Sequence, residues 1–179
     1  SKQLEIKKNH VVSCIERIGG LENVLVKDVM ASQDIFGYRN KMEFSFNVHS
    51  ESGFTLGMHK RGSYADIFDL TECYLPSEVF AKAVGWFRGY VASNKIAVYD
   101  VDNHTGYIRF LVIRQAKKTN DLMINIVTNY GDFPVVEKLV DEITTSFPEI
   151  TTIVHNQNGQ KSNIAVGEKE TILFGSCYI

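Results

Sequence analysis

The sequence predicts an α+β fold: a largely antiparallel sheet with helices packed on one face, plus an N-terminal helix. Three observations carry this. Strict alternation from Lys41 to His49 is echoed at Phe54, Leu56 and Met58; two apolar stripes at helical spacing fall near residues 79–91 and 135–147; and of two apolar runs, Tyr107–Gln115 is apolar on both faces except for Arg109 and Arg114, with Leu122–Thr128 the second. The chain has 179 residues, 44% hydrophobic and 22% charged with three prolines, enough for one substantial core and too ordered in composition for disorder or coiled coil.

Each element follows in chain order. Residues 2–18 read as a helix with a thin stripe at Leu4, Val11, Ile15 and Ile18, stopped by Gly19-Gly20. The alternating run 41–49 puts Met42, Phe44, Phe46 and Val48 on one face and Lys41, Glu43, Ser45, Asn47 and His49 on the other. The turn Ser50-Glu51-Ser52-Gly53 makes it a hairpin with 54–58. Apolar residues must oppose apolar ones, which pairs Val48 with Phe54, Phe46 with Leu56 and Phe44 with Met58, and sets Glu43 against His59 and Lys41 against Arg61. Residues 66–70 form a short third strand. Pro76-Ser77-Glu78 opens a helix to about Ser93 with Val79, Phe80, Ala83, Val84, Phe87, Tyr90 and Val91 inward and Trp86 off the stripe. The runs 107–115 and 122–128 are paired central strands. Asp132 and Pro134 begin a helix with Val135, Val136, Leu139, Val140, Ile143 and Phe147 on its core side, ended by Pro148. Residues 151–154 and 171–174 complete the strands.

Charge is segregated. Nineteen Lys+Arg against 21 Asp+Glu leave a net −2, so a polybasic protein is excluded. Residues 38–63 carry Arg39, Lys41, Lys60 and Arg61 against Glu43 and Glu51, and residues 103–118 carry Arg109, Arg114, Lys117 and Lys118 with no acid. The helical stretches 64–102 and 132–149 are acidic. A basic sheet backed by acidic helices offers polyanions one side only, although surface charge that merely solvates a sheet reads the same way. Arg114 alternates onto the side of Phe110 and Val112, where it reads as a buried ion-pair partner of a helix acid.

Catalytic constellations are poor. No Gly-rich phosphate loop, GxSxG or HExxH occurs, and five histidines are scattered. Cys14, Cys73 and Cys177 have no ligand spacing among themselves. Asn156, Gln157, Asn158 and Asn163 form an amide-rich segment suited either to reading bases or to loop chemistry. No apolar run approaches a membrane span and Ser1–Asn9 is charged, so a cytoplasmic location with no membrane partner is expected.

Three blocks are specific: Tyr38-Arg39-Asn40-Lys41-Met42-Glu43-Phe44-Ser45-Phe46, Leu56-Gly57-Met58-His59-Lys60-Arg61-Gly62-Ser63 and Asp69-Leu70-Thr71-Glu72-Cys73. With Glu16-Arg17-Ile18-Gly19-Gly20, His104–Arg109 through Thr128, and Val154-His155-Asn156 to Ile179, the chain closely resembles the RNA (uracil-5-)-methyltransferase family, which makes 5-methyluridine in 23S rRNA and tRNA. The resemblance runs nearly end to end. It implies a central portion lying between an N-terminal TRAM domain and a C-terminal Rossmann-like domain that binds S-adenosylmethionine. Residues 1–20 would then be a helix packed on the catalytic domain, 21–160 the central RNA-engaging domain, and 161–179 a strand segment leading to the cofactor domain. The family's catalytic cysteine and cofactor loops would lie past Ile179, so no catalytic residue is expected here, Cys177 is not the nucleophile, and the fragment alone should be inactive. Some members carry a [4Fe-4S] cluster, and the resemblance makes Cys73 its fourth ligand in an intact protein, with no cluster expected in this chain; a loop thiol without metal is the simpler alternative.

What the resemblance implies for this chain is RNA positioning, with 23S rRNA ahead of tRNA as partner. Phosphate contacts fall to Arg39, Lys41, Lys60, Arg61, Arg109 and Lys117, with Ser63 beside them and Tyr38 and His59 as stacking partners. The competing readings are a structural module that orients its flanking domains with little RNA contact, and a complete stand-alone enzyme.

Overall fold

The computed structural model describes residues 1–49, 53–63, 65–133 and 135–178. The chain divides into two units, Ser1–Ile35 and Phe36–Ile179.

In the first unit, α1 (Lys2–Ser13) runs into a π-helical turn over Cys14–Ile18. The predicted single helix over 2–18 thus changes its winding in the last five residues. Gly19 ends it, as expected: a Cβ there would press on the Ile15 carbonyl oxygen, and Gly20 follows at φ 63°. Neither helical piece buries a side chain. The segment after it returns so that the Lys8 Nζ meets the Asp28 carboxylate at 2.7 Å, which holds that carboxyl below its usual range.

The second unit is a seven-stranded sheet. The strands are β1 (Lys41–His49), β2 (Gly53–His59), β3 (Ile67–Asp69), β4 (Ile108–Gln115), β5 (Leu122–Thr128), β6 (Ile150–Gln157) and β7 (Lys169–Gly175), in the order β3-β2-β1-β4-β5-β6-β7. Each neighbouring pair is antiparallel except β5–β6, which is joined through a helix. The helices α2 (Glu78–Ser93) and α3 (Val136–Ser146) supply Phe80, Ala83, Val84, Phe87, Leu139 and Ile143 to one core with Met42, Phe44, Leu56, Leu111, Ile113, Ile124 and Ile153. The predicted α+β architecture is therefore observed, with β4 central and buried almost throughout.

The hairpin register holds at Val48 with Phe54 and Phe46 with Leu56. The turn residues 50–52, and Pro134 before α3, lie outside the described residues. On the polar face, among the described residues, no ion pair joins Glu43 to His59. Glu43 instead meets the neighbouring Lys41 at 2.6 Å, and the His59 Nε2 lies 3.2 Å from the Ser45 Oγ. The cross-strand neighbours of Lys41 and Glu43 on β4 are Arg114 and Val112. Trp86 is also drawn inward, stacked on Tyr90 at 5.0 Å and edge-on to Phe87, because a large ring beside the stripe still covers the helix–sheet seam.

The second face of β4 explains its double apolarity. Phe110, Val112 and Val127 make a small cluster there, with Ala165 of the β6–β7 connection packed against it. The amide-rich segment is shared between the end of β6, which holds Asn156 and Gln157, and that connection, which holds Asn158 and Asn163, and its amides tie backbone and strands together. Asn158 is fully buried with Nδ2 donating to the carbonyls of Ile164 and Val166, and Asn156 bridges Asn125 and Glu170.

Candidate nucleic-acid interface

Strand direction assembles the site. β1 begins, and β2 and β4 finish, at the same end of the sheet, so the loops 37–40, 60–66 and 116–121 are neighbours there. Arg39, Lys41, Lys60, Arg61, Arg114, Lys117 and Lys118 all belong to this end and are exposed. These seven cations share this end with the acids Glu43, Asp66 and Asp121, leaving a local positive surplus.

Local bonds shape each loop. Lys60 N–H donates to the Asp66 carbonyl, Ser63 N–H to that of Lys60, and Ser63 Oγ accepts from Asp66 N–H, closing a tight turn in which Gly62 takes φ 82°. Gly57 sets where that turn hangs, since a Cβ there would overlap the Phe68 carbonyl on β3. The 37–40 loop runs beside residues 74–76: Gly37 N–H donates to Tyr74 O, Arg39 N–H to Leu75 O, and Arg39 pairs with Pro76. The buried Gln115 fastens both, its Oε1 accepting from Ser77 Oγ at 2.7 Å and from Lys117 Nζ at 3.0 Å, while the same ammonium donates to Gly37 O at 2.7 Å. Lys117 is thus exposed yet tied to backbone, and Arg39 Nε leans on Lys41 O. Tyr38 is exposed beside them at 53%.

Two predicted residues are placed differently. Arg114 is not a buried ion-pair partner: it is exposed opposite Lys41, and among the described residues no acid pairs with it. Arg109 is the reverse case. It sits at the far end of β4, about 17 Å from Arg114 at the rise of an extended strand, and is only 2% exposed. Its Nη1 donates to the carbonyls of Asn158 and Gln160 and its Nη2 to that of Ser162, each within 2.8 Å, with the guanidinium 4.2 Å over the Tyr99 ring. Burial lowers its pKa from the usual arginine value. These donors hold the β6–β7 connection and are not turned towards a phosphate, because a β-bulge between Ile108 and Phe110 directs the side chain under that segment.

A structural pair escaped sequence reasoning altogether. The Asp69 carboxylate accepts from Leu56 N–H at 2.8 Å and from Arg88 Nε at 3.1 Å, and Arg88 Nη2 donates to the carbonyls of Leu56 and Leu70 at 2.9 Å. This clamp joins β2 and β3 to α2 behind the basic turn. The signal was Arg88 beside the core residue Phe87 on an otherwise apolar helix face, next to a motif aspartate.

Three comparisons bear on what carries these features. No family model matches the chain. Uncharacterized RNA methyltransferases of Chlorobaculum tepidum and Caldanaerobacter subterraneus are each 31% identical to it over 99% of this chain and 40% of their own length. The chain belongs to the RNA methyltransferase family. It spans about two fifths of the length of those relatives. Among solved structures, the Pyrococcus abyssi tRNA (uracil-54, C5)-methyltransferase in complex with S-adenosyl-L-homocysteine superposes with a TM-score of 0.71 at 27% identity, covering 99% of this chain and 39% of that one.

The resemblance places a [4Fe-4S] cluster and S-adenosylmethionine in an intact protein and expects neither in this chain. A [4Fe-4S] cluster needs four thiolates. Cys73 is half-buried in the wall of a cavity while Cys14 and Cys177 are exposed in other segments, and among the described residues no group of three His, Cys, Asp or Glu side chains converges. This sheet has one parallel pair, β5–β6. No described helix is long and apolar enough to cross a membrane.

Proposed function

We propose that this chain is the RNA-positioning portion of an S-adenosylmethionine-dependent RNA (uracil-5-)-methyltransferase, flanked on one side by a TRAM domain and on the other by a Rossmann-like domain that supplies catalysis. The observation that supports it is the convergence of Arg39, Lys41, Lys60, Arg61 and Arg114 at one sheet end, with Tyr38 and His59 exposed among them. Cations at such an end neutralise phosphates and fix the register of the RNA, leaving a flanking domain to act on the displaced uridine. Arg109 is left out of the contact set and Arg114 enters it. The residues of this chain bind and orient; they carry no proton or methyl group. The sequence reading favours 23S rRNA, and the name of the Pyrococcus relative says tRNA.

A second reading has its own support. Lys41 is engaged by Glu43 and Lys117 by Gly37 O, as suits a module that orients flanking domains and touches RNA little.

Fluorescence anisotropy with rRNA hairpins and with tRNA, over a range of salt, separates these. The double variant Lys41→Ala/Arg61→Ala should weaken binding and flatten the log–log salt slope by about 1 to 2, one counterion release per lost phosphate contact. An unchanged slope favours the orienting module, and the tighter of the two RNAs identifies the substrate class.

A further inference from the structure

Beside the basic end lies a cleft of about 580 Å³ that the cation argument does not use, within the roughly 300–1,000 Å³ of small-molecule sites. Its lining comes from Phe36 and Gly37, from the segment 71–74, and from the first turns of α2. Phe36 and Tyr74 are exposed at 66% and 62%, and their rings touch at 5.7 Å between centroids with a 56° tilt. The two rings lie side by side at the cleft mouth, where a planar apolar group could cover them.

Their setting is held firmly. The Phe36 side of the mouth is fixed by the Gly37 N–H to Tyr74 O bond and by the Lys117–Gln115–Ser77 chain, and the Tyr74 hydroxyl is tied to Glu72 at 2.5 Å. The charges divide by position. Glu78 is answered by Lys82 within the cleft, while Arg39 stands in the adjoining loop with Nη groups that donate to nothing among the described residues. An aromatic ring at the mouth with a cation outside it and a carboxylate within is chemically matched to a base: one ring face stacks, the phosphate stays out with the arginine, and the base edge offers N–H donors to Glu72.

We propose that this cleft binds one unpaired nucleobase of the RNA, stacked on the Phe36–Tyr74 pair with its phosphate on Arg39. The inference rests on the RNA-positioning reading and adds a stacking contact to it. A stacked base is sequence-tolerant, so the cleft would hold an unpaired nucleotide and keep the strand from sliding on the cationic end.

The test uses an RNA hairpin carrying 2-aminopurine at a single unpaired position, moved in turn through the loop. With the unaltered chain, one position should be strongly quenched on binding. Phe36→Leu/Tyr74→Leu should abolish that quench and weaken binding about tenfold, with the salt slope unchanged because no phosphate contact is lost. Tyr74→Phe keeps the ring and should behave as the unaltered chain. Loss of the salt slope in Lys41→Ala/Arg61→Ala together with unaltered quenching and affinity in Phe36→Leu/Tyr74→Leu overturns the stacking site alone. Absence of RNA binding by the unaltered chain overturns both readings. Both leucine replacements are at exposed positions, and unchanged urea midpoints would exclude unfolding as the cause.

Discussion

Arg109 is the residue whose removal should cost most among the cations. Arg109→Met keeps most of the side-chain volume over Tyr99 but removes all three donors to Asn158, Gln160 and Ser162. Gln160 and Ser162 are exposed residues, so water re-solvates their carbonyls and each lost bond costs about 1 kcal/mol. Asn158 is fully buried, so its carbonyl is left orphaned for a further 1–3 kcal/mol or so. Loss of the cation over the ring adds roughly 0.5–1, and relief of the buried charge offsets part of the whole. The net is about 3 kcal/mol, which lowers a urea midpoint by about 1.5 M at an m-value near 2 kcal/mol/M. Hydrogen exchange should quicken over residues 158–168, where the connection lifts off Phe110, Val112 and Val127. Arg109→Lys keeps the charge without the planar fork and should fall between. A midpoint within about 0.3 M of the unaltered chain with unchanged exchange over 158–168 would refute the clamp. A flattened RNA salt slope in Arg109→Met would restore the phosphate role that burial argues against.

Two further predictions concern the scaffold. Asp69→Ala frees Leu56 N–H and leaves the Arg88 guanidinium without its carboxylate, so stability should drop by about 1–3 kcal/mol and exchange should rise in β2 and β3; calorimetry that finds Asp69→Ala and Arg88→Met additive would deny that the two act as one unit. His155 is buried with its Nε2 2.8 Å from Thr128 Oγ1 and Phe133 against its ring, and burial lowers its pKa below 6.5, with Lys169 adding to the effect. The unfolded chain therefore takes up a proton as pH falls through about 6.5 while the folded one does not, so stability is unaffected above that pH and declines below it by at most about 1.4 kcal/mol per pH unit. His155→Gln should flatten this decline in urea titrations between roughly pH 6.5 and 5; an identical decline would place the proton uptake elsewhere.

How far the sequence carried depends on the kind of residue. Period-two alternation and apolar stripes located β1, β2, α2 and both central strands because burial on one face imposes those periods on any chain. The paired residues Phe46 and Leu56 were legible for the same reason. Charge was legible only as a sum. Nothing local distinguishes Arg109 from Arg114, five residues apart on one strand, yet a bulge turns the first under a loop while the second stays in water. The Phe36–Tyr74 mouth was hidden likewise, since its two rings come from segments 38 residues apart.

By itself, then, the sequence determined the α+β class, the order of strands and helices, the hairpin register and the presence of a cationic surplus on the sheet, since these follow from periodicity and composition along the chain. Only the tertiary structure decided which cations meet at one end, which is buried as a clamp, and which aromatic rings share a cleft. Those outcomes depend on strand direction, a single bulge and hydrogen bonds between residues far apart in the chain, and no local pattern encodes them.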